Sequence, residues 1–138
     1  MSKSVALRIL RRAGFDQTNA MNWKTIRLEL AGTREFPAGS VGRAFLLRLP
    51  LQEDGWISED EIAKNPSRAT VRRFWASDPD RTGHIVRSEG SWALIDGMDG
   101  APSYRLPSQP IRLGELVIMT TPDGSELPFR VAGMRQLG

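Results

Sequence analysis

Cysteine is absent from this chain. Disulfides, thiolate metal sites and thiol nucleophiles are therefore excluded outright. The absence is compatible with a cytoplasmic location, which is the expectation adopted for a soluble protein of this composition. Long apolar runs are missing as well. No stretch approaches the roughly 18 residues that a membrane-spanning helix needs, and the longest, such as Leu116-Val117-Ile118-Met119, have the length of strands. Histidine occurs once, at His84, so any metal site would have to draw its other ligands from carboxylates. Asp96, Asp99 and Gly100 resemble a fragment of a calcium loop, but the remaining ligand spacing is not there and a turn is the preferred reading. Gly39-Ser40-Val41-Gly42 lacks the Gly-Lys-Ser/Thr ending of a phosphate-binding loop. No metal and no cofactor is expected.

Excess charge is also scarce in most of the chain. The formal net charge is +3. Residues 1–20 carry Lys3, Arg8, Arg11 and Arg12 against Asp16, and the rest of the sequence is balanced. The balanced part offers no basic field of the kind that phosphate backbones require, so nucleic acid is a disfavoured partner.

Met21-Asn22-Trp23 reads as a second beginning, because a clean strand pattern starts at Lys24. Ahead of it, Val5, Ala6, Ile9, Leu10 and Ala13 share one helical face, with Arg8, Arg11 and Arg12 on the other. Residues 1–20 are read either as a basic amphipathic helix that touches a membrane surface or a partner, or as a loosely ordered extension. They do not read as a secretory signal, since arginines interrupt any apolar core. Residues 21–138 form one domain.

What is present points to β-structure. The 13 glycines and nine prolines among 138 residues are more than a helical bundle would tolerate. Thr25-Ile26-Arg27-Leu28-Glu29-Leu30 alternates polar and apolar residues, the mark of a half-buried strand. A loop rich in Gly, Pro and Ser follows, from Gly32 to Gly42. A second strand spans 44–49, with Phe45, Leu47 and Leu49 on one face, and Pro50 ends it. Ser58 and Glu61 make a capping box, flanked by Ile57 and Ile62 at the staple positions, and Pro66 stops the short helix near Asn65. Further strands are expected over 70–76, 84–87, 91–96, 103–106, 115–121 and 126–131. Turns are expected at Asp78-Pro79-Asp80, Ser88-Glu89-Gly90 and Pro122-Asp123-Gly124-Ser125. About eight short strands with one small capped helix predict a mainly β fold, either a small antiparallel barrel or a strongly curved sheet. An open sheet would leave edges through which two copies can pair, so a homodimer through a strand edge is expected as a possible assembly.

From Met21 onward the chain resembles an uncharacterised bacterial family of small β-rich proteins. The resemblance rests on Thr25-Ile26-Arg27-Leu28-Glu29-Leu30-Ala31, Arg34-Glu35-Phe36-Pro37-Ala38-Gly39-Ser40, Val71-Arg72-Arg73-Phe74-Trp75, Gly83-His84, Tyr104-Arg105-Leu106, Gly114-Glu115-Leu116-Val117-Ile118 and Phe129-Arg130-Val131. It implies a single β domain and carries no functional residue across. The segment from Gly114 through Val131 also resembles the closing hairpin of SH3-like and related small barrels, which speaks to architecture only.

Chemistry-bearing residues concentrate between Arg72 and Asp96. This meander holds the single histidine and two of the four tryptophans. Val71, Arg73 and Trp75 share one strand face, and Arg72 and Phe74 the other. Arg73, Trp75, His84, Arg87 and Trp92 are the candidate ligand-binding residues, because arginine interleaved with aromatics clamps carboxylates and stacks planar groups. That reading needs Arg73 and Arg87 on the same face. The competing structural reading places tryptophan in the core with arginine stems lying over it. The expected function is a non-enzymatic binding or accessory module for a protein or a small anionic ligand. One alternative is a small hydrolytic enzyme with His84 as general base, an Asp such as Asp78 or Asp80 as orienter, and a nearby serine; no nucleophile elbow supports it. The other is binding of single-stranded nucleic acid or an anionic peptide on the arginine and aromatic face.

Overall fold

The computed structural model describes residues 22–96 and 103–137. Eight strands run in sequence order around a closed antiparallel barrel, each paired with its chain neighbour and the last with the first. They are β1 (Trp23–Leu30), β2 (Ser40–Pro50), β3 (Thr70–Trp75), β4 (Asp78–Ser88), β5 (Ser91–Asp96), β6 (Tyr104–Leu106), β7 (Leu116–Thr120) and β8 (Glu126–Gln136). One helix, α1 (Glu59–Lys64), and a 3₁₀ turn over Pro66–Arg68 lie between β2 and β3. The calcium-loop fragment falls largely outside the described residues, as does the N-terminal segment 1–20.

The alternation of apolar residues in β1 is what commits it to the barrel wall. Ile26, Leu28 and Leu30 point inward and are buried, facing Leu47, Phe45 and the start of β2 on one side. Because side chains alternate at every residue, directly paired residues share a face. Leu47 and Phe45 therefore bring Val71 and Arg73 inward on β3. Trp92, Leu94, Tyr104 and Leu106 continue the same face on β5 and β6, and Val117, Met119, Leu127 and Phe129 close it on β7 and β8.

The barrel closes through a segment that the sequence pattern conceals. The expected last strand stops at Val131, yet β8 continues to Gln136 and pairs Gly133 with Arg27 and Met134 with Ile26. The register shifts between Arg27 and Leu28, leaving Ala132 as the extra residue of a bulge. A bulge breaks the period-2 pattern, and Ala-Gly is a weak strand signal. Closure leaves no free sheet edge along β1 or β8, so the edge-paired dimer expected for an open sheet has no edge to use there.

Two further boundaries differ from expectation by more than a residue. Asp78-Pro79-Asp80 is not the β3–β4 turn. The turn is Ala76-Ser77, and the Asp-Pro-Asp run opens β4, with Asp78 paired to Trp75 across a register shift. Proline is tolerated there because the irregular end of a ladder needs no amide donor from it. Likewise β2 begins at Ser40 instead of after Gly42.

One end of the barrel is plugged. Ser58 caps α1, its hydroxyl accepting from the Glu61 amide at 3.3 Å, and Ile57 and Ile62 are both buried as the staple predicts. The reciprocal half of the capping box does not form. The Ser58 amide donates to the Pro50 carbonyl at 2.9 Å, and the Glu61 carboxylate pairs with Lys64 at 3.4 Å. Gly55 and Ile111 bridge the β2–α1 loop to the segment before β7 through an Ile111 amide to Gly55 carbonyl bond of 2.9 Å. Trp23, Leu51, Ile57, Ile62, Ala69 and Ile111 belong to the buried core cluster at this end. Among the described residues nothing covers the opposite end, which is ringed by the 31–39 loop, the end of β3, the start of β6 and the β7–β8 turn.

Candidate ligand site at the barrel mouth

At the open end, β2 and β3 place aromatic and arginine residues in a checkerboard. Arg43 pairs with Trp75, and Phe45 pairs with Arg73, one rung deeper. Each guanidinium is thereby set beside a ring. Arg73 Cζ lies 5.1 Å from the Trp75 ring centre and 5.8 Å from that of Tyr104. Arg43 Cζ lies 4.4 Å from Phe36 and 5.8 Å from Trp75. The result is a ladder of alternating rings and cations, Phe36, Arg43, Trp75, Arg73 and Tyr104. Each such contact is worth about 0.5–2 kcal/mol depending on its desolvation.

Phe45 forms the floor. Its buried ring makes edge-on contacts with Trp75, Tyr104 and Phe129 at centroid distances of 5.7, 5.1 and 5.2 Å. These edge-to-face pairs fix the ring orientations that the ladder needs. Phe36 reaches the ladder from the 31–39 loop. Its amide donates to Thr33 Oγ1 at 2.9 Å, while its carbonyl accepts from Thr33 and Gly39 amides at 2.9 and 2.8 Å. Gly39 has φ +81°, and a Cβ there would sit 2.5 Å from the Leu30 carbonyl oxygen. Only glycine fits this turn without displacing the loop.

Arg73 is poorly satisfied for a guanidinium so placed. Its side chain is 19% exposed, and its nearest carboxylate, Asp78, stands at 3.8 Å. Its Nε is buried and has no hydrogen-bond partner among the described residues. Stacking does not use the N–H edge of a guanidinium, so the edge keeps its capacity for a carboxylate or phosphate. Arg43 appears in none of the ion pairs found among the described residues.

Above the ladder lies an open basin of about 530 Å³, walled by Leu30, Phe36, Arg43, Trp75, Tyr104 and Leu127 and rimmed by Glu35 and the β7–β8 turn. That volume lies in the ordinary range for small-molecule sites. On the turn, the Asp123 carboxyl is held down at about 2, first by the Thr121 hydroxyl and then by the Ser125 amide and hydroxyl. Asp123 is therefore an anion throughout the ordinary pH range.

The five residues singled out from the sequence do not form one group. Arg73 and Trp75 are at the mouth. Arg87 shares their inward parity, because Arg81 faces Arg73 and Arg87 lies six residues on, but at about 3.3 Å per residue that is roughly 20 Å along the strand. Arg87 instead stacks on Trp92 at 4.8 Å, pairs with Glu59 of α1 at 3.6 Å and bonds Ser108 at 3.4 Å. It ties the plug to the barrel, over a Trp92 that is part of the core. His84 pairs with Thr70 on the outer face and is exposed. It lies in an outer-wall depression of about 750 Å³ with Leu46, Arg48, Arg72 and Val86. This depression exceeds the mouth in volume and is the more enclosed of the two, but no Phe, Tyr or Trp lines it. Neither an ion pair nor a hydrogen bond joins His84 to an aspartate or serine among the described residues.

Sequence reasoning missed Arg43, Phe36 and Tyr104. Arg43 was within reach, since continuing the Phe45-Leu47-Leu49 parity backward by two residues arrives at it. Phe36 was not, because loop geometry alone delivers it.

Comparison with protein-family models, with curated proteins and with solved structures gives no match to this chain. The reading of the site rests on its geometry.

Proposed function

We propose that this chain is a non-enzymatic binding module whose small ligand enters the open barrel mouth. An anionic group of the ligand is bound by Arg43, with the Arg73 charge one rung deeper, and its apolar body lies on Trp75, Tyr104, Leu30 and Leu127. The observation that carries this reading is a pair of guanidiniums on one tryptophan: Arg43, which walls the basin and stands in no ion pair among the described residues, and Arg73 one rung deeper, whose buried Nε has no partner. A buried unsatisfied donor is costly, about 1–3 kcal/mol and more on a charged group. Such a cost supports a site where an anion at Arg43 offsets the charge of the guanidinium below it. The hydrolytic reading is weaker, because His84 stands on the outer wall without the oriented carboxylate that a general base uses.

Calorimetric titration of the full chain with 3-phenylpropionate tests the proposal. Arg43→Gln should weaken binding at least tenfold, consistent with loss of one charge-assisted contact. Arg87→Gln, at the plugged end, should leave affinity within twofold. Equal losses in both variants, or unchanged affinity in Arg43→Gln, contradicts the placement at the mouth.

A further inference from the structure

The basin carries charge of both signs, and this narrows the ligand beyond an anion. Arg43 contributes the cation of the wall, while Glu35 and Asp123 stand at the rim, both exposed. Neither carboxylate belongs to an ion pair among the described residues. The Thr121 hydroxyl and the Ser125 amide both donate to Asp123 Oδ1. The rim thus presents carboxylate oxygens with free acceptor capacity, and the wall of the same basin presents the Arg43 guanidinium.

A simple anion entering this basin gains the arginines but meets two like charges at the rim. A simple amine meets the reverse. A molecule with both charges is matched at both levels, and repulsion against the wrong partner is as much a part of specificity as attraction to the right one. We propose that the ligand is a zwitterion on an aromatic frame, an α-amino acid with an aromatic side chain or a compound with the same carboxylate and ammonium pair. Its carboxylate goes to Arg43, above the Arg73 charge, its ammonium to Glu35 and Asp123, and its ring to Trp75 and Tyr104. This rests on the mouth being the binding site.

The test is titration of the full chain with L-phenylalanine, 3-phenylpropionate and phenethylamine, which share the ring and differ in charge. The wild type should bind L-phenylalanine about tenfold or more tightly than either of the others. Glu35→Gln combined with Asp123→Asn should abolish the advantage over 3-phenylpropionate. Circular dichroism of the variant, expected to match wild type because both positions are exposed, separates lost recognition from lost fold. Glu35→Gln alone, which touches no turn hydrogen bond, should reduce the advantage in the same direction. If 3-phenylpropionate binds as tightly as L-phenylalanine, the zwitterion is overturned and the anion-binding mouth stands. If none of the three binds, both readings fall.

Discussion

Arg73 shows how one residue can be stable in the fold and still unfinished. Its rings and Asp78 hold it in place, yet its Nε is left without a partner among the described residues. Asp123 is the opposite case, an exposed carboxylate saturated on one oxygen. Its carboxyl lies at about 2 in the folded chain against an ordinary 3.8. A depressed carboxyl favours the ionised folded state, so the contribution to stability is complete above the unfolded value and is lost as pH falls through about 2. Asp123→Asn should therefore be less stable than wild type at neutral pH, with the difference shrinking to nothing in strong acid. Paired urea melts at neutral and at acid pH check this, and a carbon-detected NMR titration of the Asp123 carboxyl should show the low midpoint.

At the scale of elements, two short segments do work that their length does not suggest. The helix α1 has six residues and cannot hold itself together. Its cap and its buried Ile57 and Ile62 anchor it as the plug. Ser58→Ala should cost about 0.5–2 kcal/mol in global stability by chemical denaturation, without affecting ligand affinity at the far end. The 31–39 loop works at the mouth. Gly39→Ala forces a Cβ against the Leu30 carbonyl in a left-handed conformation and should cost about 1–3 kcal/mol. Because the loop carries Phe36, this variant should also weaken ligand binding, whereas Ser58→Ala should not. Calorimetry on the two variants side by side distinguishes plug from mouth.

Over the whole molecule, much of the fold was legible and the site only partly so. The alternation in β1, the capping residues at Ser58 and the Pro-Asp-Gly-Ser turn each carry a local physical signal, and the structure has all three. Barrel closure was not legible, since it runs through a bulge at Ala132 where alternation breaks. The site was half legible for a related reason. Parity put Arg73 and Trp75 on one face, and the strand register adds Arg87 and Trp92 to it, but parity says nothing of height along a barrel, and height separates them. His84 lies three residues from both Arg81 and Arg87, an odd step that turns it to the outer face, where it pairs with Thr70.

The central claim is that the open mouth, and not the plugged end or the outer wall, binds the ligand. A ¹H–¹⁵N NMR titration that follows the indole and arginine Nε signals with 3-phenylpropionate tests it most directly. The account predicts that Trp75, Arg43 and Arg73 shift together while Trp92 and Arg87 stay still. Movement of Trp92 and Arg87, with Trp75 unchanged, would contradict it.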